Sequence, residues 1–187
     1  MVSGGDDDVA GLVAAAAAGD PSAWEALVRR FSGLVWSVAR AMGLDAADAA
    51  DVSQTAWLRL AEHLDRLREP DRVGAWLAVT ARREALRIRQ RGERIVLDSW
   101  CGDGPDDGGD LDRALLRDER DALLWRTFSD LSEPCKALLR VLLTDPPPSY
   151  VEVGEALAMP VGSIGPRRQR CLRALRKQFD DAAGALR

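Results

Sequence analysis

The sequence predicts an all-α chain of two helical domains joined by a flexible acidic linker. Three observations lead there. Apolar residues recur at intervals of three and four along most of the chain, and no useful stretch alternates apolar with polar residues as a half-buried strand would. A glycine- and aspartate-rich segment interrupts the pattern near the middle. At 187 residues the chain has room for one ordinary domain or two small ones.

Residues 1–9 carry only acids (Asp6, Asp7, Asp8) and are expected to be a disordered acidic tail. "LVAAAAA" at 12–18 follows aspartates instead of a basic flank and is too short to cross a bilayer, so it is assigned to the small-residue face of a first helix. In "DPSAWEALVRRFSGLVWSVARAMG" either Asp20 or Ser22 can cap, and Trp24, Leu27, Val28, Phe31, Leu34, Val35 and Val38 form one stripe. "DAADAADVSQTAWLRLAEHLDRL" opens with acids, where the helix dipole favours them, and Glu69-Pro70 stops it. "VGAWLAVTARREALRIRQR" is apolar at Val73, Trp76, Leu77, Val79 and Thr80 and then turns arginine-rich; Trp76 is assigned to the core. These helices make an N-terminal domain at 10–91, followed by a linker at 92–111.

Helix resumes in the C-terminal domain, 112–180. "LDRALLRDERDALLWRTFSDL" leads to "SEPCKALLRVLLTD", with Ser132 as N-cap and Pro134 in a first turn that tolerates a missing N–H. "SYVEVGEAL" pairs Ser149 with Glu152 three residues on, the spacing of a capping box. A short connector follows, and Ser163 is expected to cap the last helix, which would put Pro166 in its first turn. Two helices joined by so tight a turn, the second of them basic, describe a helix-turn-helix.

Charge points to a partner. The net charge is −4, yet the cations gather in two islands, 82–94 and 167–177. Six cations and no acid lie between Arg167 and Lys177, so no i,i+4 pairs can form there. A basic helix is more often a solvated face, but after a tight turn and a partner helix it suits DNA. Arg167 and Arg168, at the amino end, are placed for base edges or nearby phosphates, and those further along for phosphate or solvent. Arg82, Arg83, Arg87, Arg89 and Arg91 make a second basic run suited to a phosphate track or a separated strand. Asp48, Asp51 and Gln54 form a polar stripe at i, i+3, i+6.

Three separated cysteines (Cys101, Cys135, Cys171), no CxxC and a single histidine, His63, argue against a zinc site and suit a reducing compartment. No GxxxxGK is present, so neither a metal nor another cofactor is expected, and an enzyme is disfavoured.

"SYVEVGEALAMPVGSIGPRRQRCLRAL" resembles the promoter-reading module of the extracytoplasmic-function sigma factors, group IV of the sigma-70 family of bacterial RNA polymerase. In that family a Tyr-x-Glu-Ile-Ala helix precedes Gly-Thr-Val-x-Ser-Arg. The matching residues here are Tyr150, Glu152, Val153 and Gly154, then Gly162, Ser163, Ile164, Pro166 and Arg167, with proline in place of the usual serine. "LSEPCKALLRVLLTD" is similar to the family's Leu-Pro-x-x-x-Arg lead-in helix. "DAADVSQTAWLRLAEHLDR" resembles the segment that docks on a coiled coil of the polymerase's largest subunit, through Asp48, Asp51, Gln54, Trp57, Leu58 and Arg59. "VGAWLAVTARREALRIRQR" resembles the segment that melts and reads the −10 element, with Arg83 where asparagine is common.

The resemblance covers roughly 10–91 and 112–178. It implies a cytoplasmic, non-enzymatic transcription factor with three sets of site residues. Ser163, Arg167, Arg168, Arg170 and Arg173 would meet the −35 element. Arg82, Arg83 and Arg87 would meet the −10 element, and Asp48, Asp51, Gln54 and Leu58 would bind core polymerase. It further implies contact with the flap region, an anti-sigma factor as a possible partner, and a linker threaded along the RNA path. The rival from the residues alone is a stand-alone helix-turn-helix regulator that binds duplex DNA without polymerase.

Overall fold

The computed structural model describes residues 8–98 and 119–184. These form eight α-helices: α1 (Val9–Ala17), α2 (Pro21–Ala41), α3 (Ala46–His63), α4 (Val73–Asp98), α5 (Glu119–Ser129), α6 (Glu133–Leu142), α7 (Tyr150–Leu157) and α8 (Val161–Gly184). Two short 3-10 turns, Leu64–Arg66 and Pro70–Arg72, join α3 to α4. No strand occurs among the described residues.

Local chemistry sets most helix starts. Asp20, not Ser22, caps α2: its Oδ1 accepts the Ser22 N–H and hydroxyl, each at 2.8 Å, and Pro21 fills the first position. The Ser22 hydroxyl holds the Asp20 carboxyl below its usual pKa, with backbone N–H groups adding to the effect. Asp45 caps α3 through the Asp48 N–H at 2.8 Å. At α7 the reciprocal box forms as expected, Glu152 accepting from the Ser149 N–H at 2.6 Å and Ser149 Oγ from the Glu152 N–H at 3.3 Å. Ser132 is the N-cap of α6, with Pro134 in the first turn, although its side chain makes no capping bond.

The buried faces follow the helical repeat. Leu27, Phe31, Leu34, Val35 and Val38 of α2 meet Ala49, Val52, Ala56 and Leu60 of α3 and Val73, Leu77, Ala78, Ala81 and Ala85 of α4. The run of alanines lets α4 approach its neighbours closely. Each fully buried leucine or valine contributes about 1.5–3 kcal/mol relative to exposure. Leu138, Leu139, Val141, Val153, Ala156, Ile164 and Cys171 make the corresponding set in the C-terminal half.

Both halves contribute to one continuous core, with α2 packed on α6 and α4 on α7. Arg140 Nη1 donates to the Arg40 carbonyl across the seam at 3.3 Å. The helix of α4 reaches Asp98, past the expected linker start at 92. Residues 99–111 of that linker, 1–7 of the tail and 112–118 at the head of the C-terminal domain lie outside the described residues.

Two expectations are corrected. Ser163 does not cap α8, which begins two residues earlier, at Val161. The Pro160 carbonyl accepts both the Ser163 N–H (2.9 Å) and the Ser163 hydroxyl (2.7 Å), so the helix starts directly after the proline. Pro166 therefore lies inside the helix, beyond the first turn, and leaves the Gly162 carbonyl without its usual i+4 donor. Gly162 is exposed, which gives that carbonyl access to water. The connector is compact because Ala158 adopts φ 52°, a left-handed conformation, while the Met159 N–H returns to the Gly154 carbonyl at 3.0 Å. Secondly, Cys135 of α6 and Cys171 of α8 form a disulfide with a Cα separation of 5.4 Å, although 36 positions apart in sequence. Only the packing of α6 on α8 brings them together.

Candidate nucleic-acid and partner interface

The last helix presents its charge as expected. Ile164 and Cys171 are buried, while Arg167, Arg168, Arg170, Arg173, Arg176 and Lys177 are exposed. Arg176 lies 3.9 Å from Asp180, a loose surface pair. Ser163 sits at the amino end of this face, half-buried, with its hydroxyl proton donated to Pro160.

On α4 the three expected arginines are placed differently from one another. Arg83 is exposed. Arg87 Nη1 donates to Glu84 Oε2 at 3.1 Å, so part of its charge is already matched. Arg82 is half-buried, and its Nε has no hydrogen-bond partner among the described residues. Arg83 is thus the best presented of the three to an outside ligand.

The sequence reading missed the cavity beside Arg83. It has a volume of about 500 Å³ and lies between the α3–α4 connection and the face of α4. Cations Arg66, Arg68, Arg72 and Arg83 line it together with His63 and Trp76. The His63 and Trp76 rings lie 6.4 Å apart and 39° from parallel. His63 is oriented by its Nδ1, 2.9 Å from the Arg59 carbonyl. Aromatic faces among guanidinium groups suit an unstacked base with its phosphate. Trp76, expected in the core, does both jobs: it packs against the core and lines the cavity. The signal available in sequence was "DRLREPDR", three arginines around a proline next to the lone histidine.

On α3, Asp51, Gln54 and Leu58 are exposed along one face, and Leu58 is 58% exposed despite being a leucine. Asp48 is half-buried at the head of that face. Partial burial raises its carboxyl above the usual 3.8, and the nearby charges of Asp45 and Asp51 push it the same way. Trp57 turns inward and meets Trp24 edge-on at 5.9 Å.

A second, more apolar cleft of about 580 Å³ runs along the seam between the halves, between Trp36 of α2 and Trp125 of α5. Among the described residues no group of three or more His, Cys, Asp or Glu is placed to hold a metal ion. No helix among them is long and apolar enough to cross a membrane.

Residues 27–95, from within α2 to near the end of α4, match the family model for Sigma-70 region 2. No curated protein matches the chain. Among solved structures, the chain is similar to CnrH in its complex with the cytosolic domain of CnrY. The TM-score is 0.58 at 22% sequence identity, covering 91% of this chain and 96% of that one. At this identity the likeness is one of fold.

Proposed function

We propose that the chain is an alternative sigma factor of the extracytoplasmic-function group, without covalent chemistry of its own. The observation that carries this reading is the Sigma-70 region 2 match over the very helices that present the cationic, aromatic cavity. In this reading the exposed face of α3 (Asp48, Asp51, Gln54 and Leu58) anchors the chain to the coiled coil of polymerase's largest subunit. Arg83, with Arg82 and Arg87 on the same helix, holds the opened −10 strand, and the cavity takes an unstacked base from it. Capturing the separated strand lowers the cost of melting.

The tight α7–α8 pair acts as a helix-turn-helix, with Arg167 and Arg168 at base edges of the −35 element and Arg170 and Arg173 on phosphate. Ser163 stands at the amino end of this face. The residues fall into two functional domains, 10–91 and 112–180, joined by the acidic linker, and polymerase and its flap region set their spacing on DNA. CnrH was solved with a second protein, the cytosolic domain of CnrY. That likeness extends the proposal to a regulatory partner of the anti-sigma kind, with the cytoplasm as the place of action.

Run-off transcription with core polymerase on a genomic library tests the activity and returns the promoter together. Promoter-specific transcripts that require the added chain are the expected result. Duplex binding in a gel shift that is indifferent to core polymerase, with no transcripts, would replace this reading with a stand-alone regulator.

A further inference from the structure

The disulfide between Cys135 and Cys171 lies on the inner face of the basic helix. Of the 24 residues of α8 only Ile164 and Cys171 are buried, so one of its two full anchors is a bonded cysteine. Arg167 and Arg168 lie one turn before Cys171, and Arg170 and Arg173 lie to either side of it. The amino end of α8 has little else to hold it. A Cβ at Gly162 or Gly165 would meet nothing within 4 Å, and Pro166 leaves the Gly162 carbonyl without its helical donor. Further along, Ala174 and Leu175 pack against the core only in part.

From this placement we propose that Cys135 and Cys171 are a thiol-oxidation site that sets how well α8 reads duplex DNA. Bonded, the pair fixes the arginine-bearing segment on α6. As two thiols, it leaves that segment held by apolar contact alone. A ligand that needs α8 in place sees its affinity reduced by the fraction of molecules that have it there, so oxidation raises DNA reading and reduction lowers it. The proposal rests on the reading of α8 as the −35 helix.

The two sulfurs are unequal in a way that suits reversible chemistry. Cys171 is 4% exposed, while Cys135 is half-buried in the first turn of α6. Ser132 makes no side-chain capping bond there, so first-turn N–H groups remain to favour a negative sulfur. The co-reactant is a peroxide. The Cys135 thiolate attacks one oxygen of hydrogen peroxide and the O–O bond breaks, which leaves a sulfenic acid and, with a proton taken up, water. The Cys171 sulfur then attacks the Cys135 sulfur, forming the S–S bond and releasing a second water. Two electrons pass from the two thiols to the peroxide. The Cα separation of 5.4 Å is usual for such a bond. A small thiol reverses the step by attacking the Cys135 sulfur and expelling Cys171 as thiolate; a second one frees Cys135 and leaves as the small disulfide.

The test is run-off transcription with core polymerase from promoters that differ only in the −35 element. It uses the full chain carrying Cys101→Ser, so that this pair alone can react. The chain is treated with hydrogen peroxide or with a phosphine reductant, each removed before polymerase is added, and its free thiols are counted. At limiting chain the oxidised form should give about tenfold more −35-dependent transcript. Its amides over 161–176 should exchange about tenfold more slowly than in the reduced form. Cys135→Ser/Cys171→Ser should stay at the reduced level after either treatment. Free thiols that survive the peroxide would overturn the oxidation site. Equal transcription by the two forms, or more by the reduced one, would overturn the switch and leave the −35 reading standing. Transcripts that ignore the −35 sequence in both forms would overturn that reading, and the switch with it.

Discussion

Arg59 of α3 and Glu84 of α4 form an ion pair at 2.6 Å, and Glu84 is almost buried, its side chain 9% exposed. The contact lies off the hydrogen-bonding direction, so it acts as charge pairing, while the second carboxylate oxygen accepts from Arg87 at 3.1 Å. One carboxylate therefore ties the helix proposed to anchor polymerase to the helix proposed to hold DNA. Removing its charge leaves two guanidinium groups that are 35% and 53% exposed and can return to water. Glu84→Gln should cost about 1 kcal/mol of stability, toward the modest end because of that exposure. A chemical denaturation midpoint that does not fall would show the pair to be unimportant.

The Cys135–Cys171 disulfide closes a loop over 36 positions between α6 and α8. Its reduction should destabilise the fold by about 2–4 kcal/mol, through the freedom restored to the unfolded chain. Thermal melts with and without a phosphine reductant, repeated on Cys135→Ser/Cys171→Ser, measure this. The double variant should melt like the reduced protein and ignore the reductant. In a reducing cytoplasm such a bond is more often a transient or redox-sensing one than permanent.

Asp51→Arg combined with Gln54→Ala should abolish capture of core polymerase in a pull-down and leave helicity by circular dichroism unchanged. Both side chains are exposed, so the fold does not depend on them. Full retention of polymerase would remove this face of α3 from the anchoring role.

Arg167→Ala should weaken recognition of the −35 element by about 1–3 kcal/mol if the guanidinium makes a bidentate base contact. The readout is run-off transcription from promoters that differ only in that element. Equal discrimination by both proteins would reassign Arg167 to phosphate contact or solvent.

Burial and neighbouring acids raise Asp48 above 3.8 in the folded chain. The native state then holds that proton more tightly than the unfolded state does. Its ionised form costs stability above the folded pKa, and the cost is relieved as the pH falls through that value toward 3.8. Asp48→Asn should therefore raise the melting temperature at neutral pH, with a gain that shrinks as the pH approaches 3.8 from above. A constant difference across that window would trace the effect to something other than titration.

Much of the helical fold was legible in the sequence because its signals are local. The apolar stripe of Leu27, Phe31, Leu34 and Val38, the Asp20 alternative at the head of α2 and the Ser149–Glu152 box each depend on residues within a few turns of one another. The outward charge of Arg167, Arg168, Arg170 and Arg173 followed from the same periodicity, since Ile164 and Cys171 claim the inner face. The start of α8 was misplaced by a competition that propensity alone does not settle. Ser163 could cap or sit inside the helix, and the Pro160 carbonyl, presented by the left-handed turn at Ala158, drew its N–H and hydroxyl inward.

What only the tertiary structure decided are the relations between residues far apart in the chain. No spacing rule pairs Cys135 with Cys171, because the pairing depends on how α6 crosses α8. Nor does any local pattern set His63 and Trp76 around one cavity, or bring Glu155 from the other half to its edge. By itself the sequence determined that the chain is helical, where its charge lies and which motifs it carries. Packing decided which of those charges meet, because meeting depends on the approach of one helix to another, and here a glycine at position 74 permits that approach.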